Sequence, residues 1–142
     1  MKNRVSSLSL IMILGLILAS CSQSRNTLSA KLEGKRWELE TIRKSIPISG
    51  RVISIEFQDG EVDGSSGCNS YSGGYGTKGN GIIFGMLAST EMACMDPEGL
   101  MDQEQDYLSF LSEVVAFSIE DGHLILKTET QDQLTFSESP QP

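Results

Sequence analysis

A chain of 142 residues with 11 Lys and Arg against 19 Asp and Glu has a formal charge of −8, which argues against nucleic acid as a partner. The length fits one small domain rather than two. With three cysteines and a single histidine, the composition offers few nitrogen and sulfur ligands for a metal and few nucleophile–base pairs.

Lys2 and Arg4 precede an apolar run from Leu8 to Leu18, followed by Ala19, Ser20 and Cys21. A basic start, a short apolar segment and small residues before a cut site describe a secretory signal peptide over residues 1–20. A helix of that apolar length spans only ~16 Å, about half of the hydrocarbon core, so it does not read as a transmembrane span. Leu18-Ala19-Ser20-Cys21 resembles the bacterial lipobox. The resemblance implies cleavage before Cys21 and lipidation of Cys21 by a diacylglycerol and an amide-linked acyl chain such as palmitate. Two or more chains anchor stably where one is marginal. An ordinary secretory signal with an incidental cysteine is the alternative. The same resemblance implies a protein of the bacterial cell envelope, joined to the membrane through Cys21. Ser22 in place of an Asp favours the outer membrane. Residues 1–20 hold two basic and no acidic side chains, so the remainder carries a formal charge of −10. That charge is uneven: residues 22–51 hold seven basic and three acidic groups, residues 52–142 two and sixteen.

Beyond Cys21 the chain is polar and unpatterned to about residue 31, a flexible tether; ten such residues reach ~17 Å. A domain is expected over residues 32–137. It opens with a strand in which Trp37, the only tryptophan, serves as a core anchor. After a loop containing Pro47, Ile53, Ile55 and Phe57 alternate inward, and Asp59-Gly60 signals a type I′ hairpin returning through Glu61 to Ser65. Tyr71, Gly73 and Tyr75 fall at period two, so both rings share one face of a strand. That strand pairs with Ile82 to Leu87 across a turn at Gly79-Asn80-Gly81. One segment reads as a helix. Asp96-Pro97 offers an N-cap and first-turn proline, Glu98 complements the helix dipole, and Leu100, Tyr107, Leu108, Leu111 and Val115 form the apolar stripe. Asp102, Gln103, Gln105 and Asp106 lie opposite, on the solvated face. Strands follow over Ala116 to Glu120, Leu124 to Thr128 and Leu134 to Phe136, and residues 138–142 read as a disordered tail. Seven or eight short strands and one late helix describe an α+β domain on an antiparallel sheet.

Between residues 64 and 94 stand Gly67-Cys68-Asn69, then Tyr71, Gly73 and Tyr75, and later Ser89-Thr90-Glu91-Met92-Ala93-Cys94. With Leu32, Gly34, Trp37 and Leu39 at the opening, these residues resemble the signature of the META domain family, HslJ-like envelope proteins. The resemblance covers about residues 32–136. It implies a strongly curved antiparallel sheet or open barrel with the helix packed on it, and a link to heat response, antibiotic tolerance and envelope integrity.

Cys68 and Cys94 admit three readings. An oxidising compartment and their place inside the family signature favour a disulfide. Two small buried thiols are the second reading. Nucleophile or metal chemistry is the third, and His123, directly after a hairpin turn, is the only histidine to serve it. Asp102, Glu104 and Asp106 are spaced as a polar helix face, and nothing marks a desolvated acid–base pair. Asn69 suits a structural task in a turn. No residue stands out as catalytic, cofactor-binding or metal-binding. The expected role is a non-enzymatic, lipid-anchored envelope protein tied to envelope integrity or stress response. The alternatives are a carrier of an apolar or acyl ligand in the open barrel, and an adaptor or inhibitor acting on an envelope protein partner.

Overall fold

The computed structural model describes residues 28–140. The signal segment, Cys21 and the tether up to residue 27 lie outside the described residues. Alternating apolar residues set most of the nine strands: β1 (Lys35–Ile42), β2 (Ile53–Gln58), β3 (Glu61–Ser66), β4 (Ser70–Lys78), β5 (Gly81–Phe84), β6 (Ala88–Ser89), β7 (Val114–Glu120), β8 (His123–Thr128) and β9 (Gln133–Ser139). One helix, α1 (Leu100–Glu113), precedes β7. The strands run in the order β3-β2-β1-β9-β8-β7-β5-β4, and β4 pairs back onto β3. The sheet is therefore a closed eight-stranded antiparallel barrel, with the short β6 continuing alongside β4 beyond β5. The strong curvature expected of the fold is present, and it goes as far as closure. Asp59-Gly60 and Asp121-Gly122 turn with positive φ at both residues, as a type I′ hairpin requires.

Trp37, Ile55, Phe57, Val62, Leu124, Leu126, Leu134 and Phe136 are fully buried. Side chains thus fill the interior, as they do in barrels of this strand number. The helix closes one mouth. Tyr107 stacks edge-on against Tyr71 of β4, with centroids 5.8 Å apart, and against Phe136 of β9 at 6.5 Å. Those strands stand four places apart in the ring, on opposite sides, so a side chain touching both lies across the opening. The seams are unequal. Between β5 and β7 the register holds a single pair, Gly81 with Ala116, beside the Phe117 N–H to Asn80 carbonyl bond of 2.8 Å.

Several element ends differ from the sequence expectation. Helix α1 starts at Leu100 rather than at Pro97, because Gly99 takes a left-handed φ of 81° just before it; Asp96-Pro97, a cis peptide, lies outside the helix. Val115 belongs to β7 and not to the apolar stripe: Val114 turns extended and pairs with Thr128 of β8, a fate that suits two β-branched residues in a row. Phe110, absent from the expected stripe, is fully buried on α1. At the C-terminus, Glu138 and Ser139 are strand rather than disordered tail. They pair with Trp37 and Arg36, Lys35 meets Glu138 at 2.6 Å, and the Ser139 hydroxyl donates to Glu38. At the N-terminus, Leu28 packs on the core and Ser29–Lys31 form a 3-10 turn, so the end of the expected tether belongs to the domain.

Candidate functional site

The site is built on the turn from β3 to β4. Gly67 turns there with φ of 112°, and a Cβ on it would stand 3.1 Å from Leu100 Cδ1, so only glycine serves. Cys68 and Cys94 form a disulfide, with Cα atoms 5.9 Å apart, that ties this turn to the segment before α1. Their thiols are therefore neither free and buried nor available as nucleophiles.

Asn69, 2% exposed, uses its whole amide. Its Oδ1 accepts from the Thr90 hydroxyl and the Met92 N–H, both at 2.7 Å. Its Nδ2 donates to the Met92 carbonyl at 3.0 Å and to Glu104 Oε1 at 2.6 Å. Glu104 Oε2 accepts from the Asn69 N–H at 2.8 Å and from the Ser66 hydroxyl at 2.6 Å. Glu104 is 6% exposed and forms no ion pair among the described contacts. Burial pushes its pKa up, yet donors from the Ser66 and Asn69 side chains and from the Asn69 and Cys68 backbone outweigh burial and hold the group below its ordinary value. The result is an ionised buried carboxylate satisfied by neutral donors. Both oxygens are committed inside the fold, so the arrangement clamps three segments together: the β3–β4 turn, residues 90–92 and α1.

Placing Glu104 on a solvated helix face is thus corrected. Leu100, Glu104, Tyr107 and Leu111 follow steps of four, three and four residues, which puts the carboxylate in the middle of the buried stripe. That spacing was legible; the acidic side chain concealed it. Among its neighbours, Asp106 bonds to Arg43 at 2.6 Å, and Gln103 Oε1 accepts from the Ile48 N–H.

The aromatic residues of the stretch serve the barrel. The Tyr71 hydroxyl donates to the Ser54 carbonyl at 3.0 Å and lies 2.7 Å from the Tyr107 hydroxyl. Burial, then the neighbouring Tyr107, raises the Tyr71 pKa well above the ordinary phenol value. Tyr75 packs edge-on against Phe57 at 4.9 Å, and its hydroxyl bonds to Glu33. Between them, a Cβ on Gly73 would meet the Met86 carbonyl at 2.7 Å, so this position admits a close backbone approach. Trp37 is the core anchor expected, with Lys35 Nζ 5.6 Å from its ring.

Two hollows adjoin the clamp. One, with a cavity volume of about 910 Å³, runs between α1 and residues 89–92 over Asn69 and Glu104. The other, of about 640 Å³, is lined mostly by hydroxyl-bearing residues, among them Ser54, Ser65, Ser70 and Ser72, with Arg36 and Asp63. A family model described as META domain matches residues 30–141. The chain belongs to the META domain family. An NMR structure of a protein from Burkholderia xenovorans is similar at 26% identity and a TM-score of 0.64, covering 80% of this chain and 87% of that one. A second NMR structure shares the fold at 23% identity and a TM-score of 0.62, covering 76% of this chain and 92% of the other. No curated protein matches the chain.

Within this META domain the signature residues divide by role. Gly67, Cys68, Asn69, Thr90 and Cys94 build the clamp, while Trp37, Tyr71, Gly73 and Tyr75 build the barrel. Ser89 and Met92 contribute differently. The Ser89 hydroxyl donates only to the Thr90 carbonyl, and Met92 offers its backbone to Asn69 while its side chain stands 56% exposed.

Proposed function

We propose that this META domain protein is a non-enzymatic, lipid-anchored protein of the bacterial envelope, favouring the outer membrane, that works by binding an envelope protein partner. The process it serves is envelope integrity or stress response. One observation carries the non-enzymatic part: the polar groups of the clamp are spent on one another. The disulfide removes both thiols, the Asn69 amide uses its acceptor and its donors, and both Glu104 oxygens face donors within the fold. General acid–base or nucleophilic catalysis needs such a group aimed at a substrate. The side-chain-filled barrel weighs against the alternative of an apolar-ligand carrier and favours the adaptor. Anchoring rests on Leu18-Ala19-Ser20-Cys21. A bacterial host fed a clickable palmitate analogue tests it. The wild-type chain should be labelled and sediment with membranes, and Cys21→Ser should lose both label and normal processing. An unlabelled wild type, or a Cys21→Ser chain still cleaved and membrane-bound, would overturn the reading.

A further inference from the structure

The groove between α1 and residues 89–92 is lined on its apolar side by Met92, Met101 and Leu108. Met92 is 56% and Met101 36% exposed. Thioether side chains are unbranched and polarizable, so such a lining adapts to partners of differing shape. The charged residues lining the groove are acidic, Glu91 and Asp102 at the rim and Glu104 on the floor, with no lysine or arginine beside them. The imbalance extends along the chain, since residues 79–126 hold nine acidic side chains and no lysine or arginine. The walls are also fixed in advance. Asn69 holds Met92 by both its N–H and its carbonyl, and the disulfide holds the chain two residues further on. A site whose backbone is already ordered loses less entropy when it binds.

We infer that this groove docks a basic amphipathic segment of a partner protein. Its apolar side chains sit among Met92, Met101 and Leu108, and its lysines or arginines face Glu91 and Asp102. Methionines give tolerance of shape, and the acidic rim gives the choice of charge. This partner class deepens the adaptor reading and rests on it.

The probe is a fluorescein-labelled amphipathic peptide of leucine and lysine, beside a leucine–glutamate peptide of the same spacing. Binding is measured by anisotropy to the full chain in neutral-lipid nanodiscs, with empty nanodiscs as baseline. The lysine peptide should bind roughly tenfold tighter or better, and salt should weaken it. Glu91→Lys with Asp102→Lys should lower affinity by about tenfold, and Met92→Ser with Met101→Ser by several-fold. All four side chains lie outside the core, so the melting temperature serves as a check that the variants fold. Glu61→Lys with Glu120→Lys, exposed acids that do not line the groove, should change affinity by less than about twofold. Equal losses from both charge reversals would mean general surface charge and overturn the site, as would equal binding of the two peptides. A full chain that self-associates in sedimentation, and that the groove reversal returns to monomer, would replace the partner segment with the basic stretch 22–51 of a second copy. Palmitate labelling of Cys21 is independent of each result, so failure of the groove leaves the anchoring part of the proposed function standing.

Discussion

Glu104→Gln is the smallest change that tests the clamp. The Asn69 amide cannot reverse, because the Met92 N–H can only donate and needs Oδ1 opposite it. Nδ2 therefore faces Glu104 Oε1 at 2.6 Å, while the Asn69 N–H faces Oε2 at 2.8 Å. Both carboxylate oxygens must accept, so glutamine in either orientation sets a donor against a donor. One buried unsatisfied group costs about 1–3 kcal/mol, and loss of the charge on the surviving bonds adds to it. The expected destabilisation is about 2–4 kcal/mol at neutral pH, read by urea unfolding with the disulfide intact. Acid gives the sign check. The folded pKa lies below the ordinary value of 4.5, so the stabilisation is complete above the unfolded value and is lost as pH falls through the folded one. The gap between wild type and Glu104→Gln should therefore narrow in acid. A variant within about 0.5 kcal/mol of wild type at neutral pH, or a gap independent of pH, would refute the reasoning.

Reduction of Cys68–Cys94, which closes a 26-residue separation, should cost roughly 3.5 kcal/mol in the chain-entropy model while far-UV circular dichroism still reports the sheet. Gly64→Ala places a Cβ 2.0 Å from the Ser54 carbonyl oxygen and should cost about 3 kcal/mol by chemical unfolding. Gly74→Ala, whose Cβ would stand 3.9 Å from the Gly60 carbonyl oxygen, should cost less than about 1 kcal/mol; equal costs would contradict the close approach at Gly64. Tyr71→Phe strands both the Ser54 carbonyl and the Tyr107 hydroxyl, whereas Tyr107→Phe leaves Tyr71 donating to Ser54. The first should lose more stability by about 1 kcal/mol, and the reverse order in urea would refute that proton arrangement.

Much of the barrel was legible because its strands alternate and its hairpins carry Asp-Gly at residues 59–60 and 121–122. Closure was not. It depends on β1 meeting β9 from the far end of the chain and on a single residue pair between β5 and β7, and neither leaves a local pattern. The helix start was misplaced because Asp-Pro reads as a cap, while Gly99 does the turning. At the site, the cysteines, Asn69 and Thr90 were visible as a motif. The partner of Asn69, Glu104, was hidden, because a buried carboxylate without a cation looks in sequence like one more exposed acid.

The uneven seams of the barrel bear on how it comes apart. Two chain-local units make up the ring, the meander β2 to β5 and the run α1 to β9. On one side β1 joins them with pairs along most of its length, to β2 and to β9. On the other side they meet through Gly81 with Ala116 and the Phe117 amide. A ring built this way behaves as a book with β1 for its spine. Partial opening exposes the β5 and β7 edges first, before either cover loses its own pairing. Because α1 lies across the mouth and Glu104 is bolted to Asn69 in the opposite cover, the clamp is also the clasp that keeps the book shut.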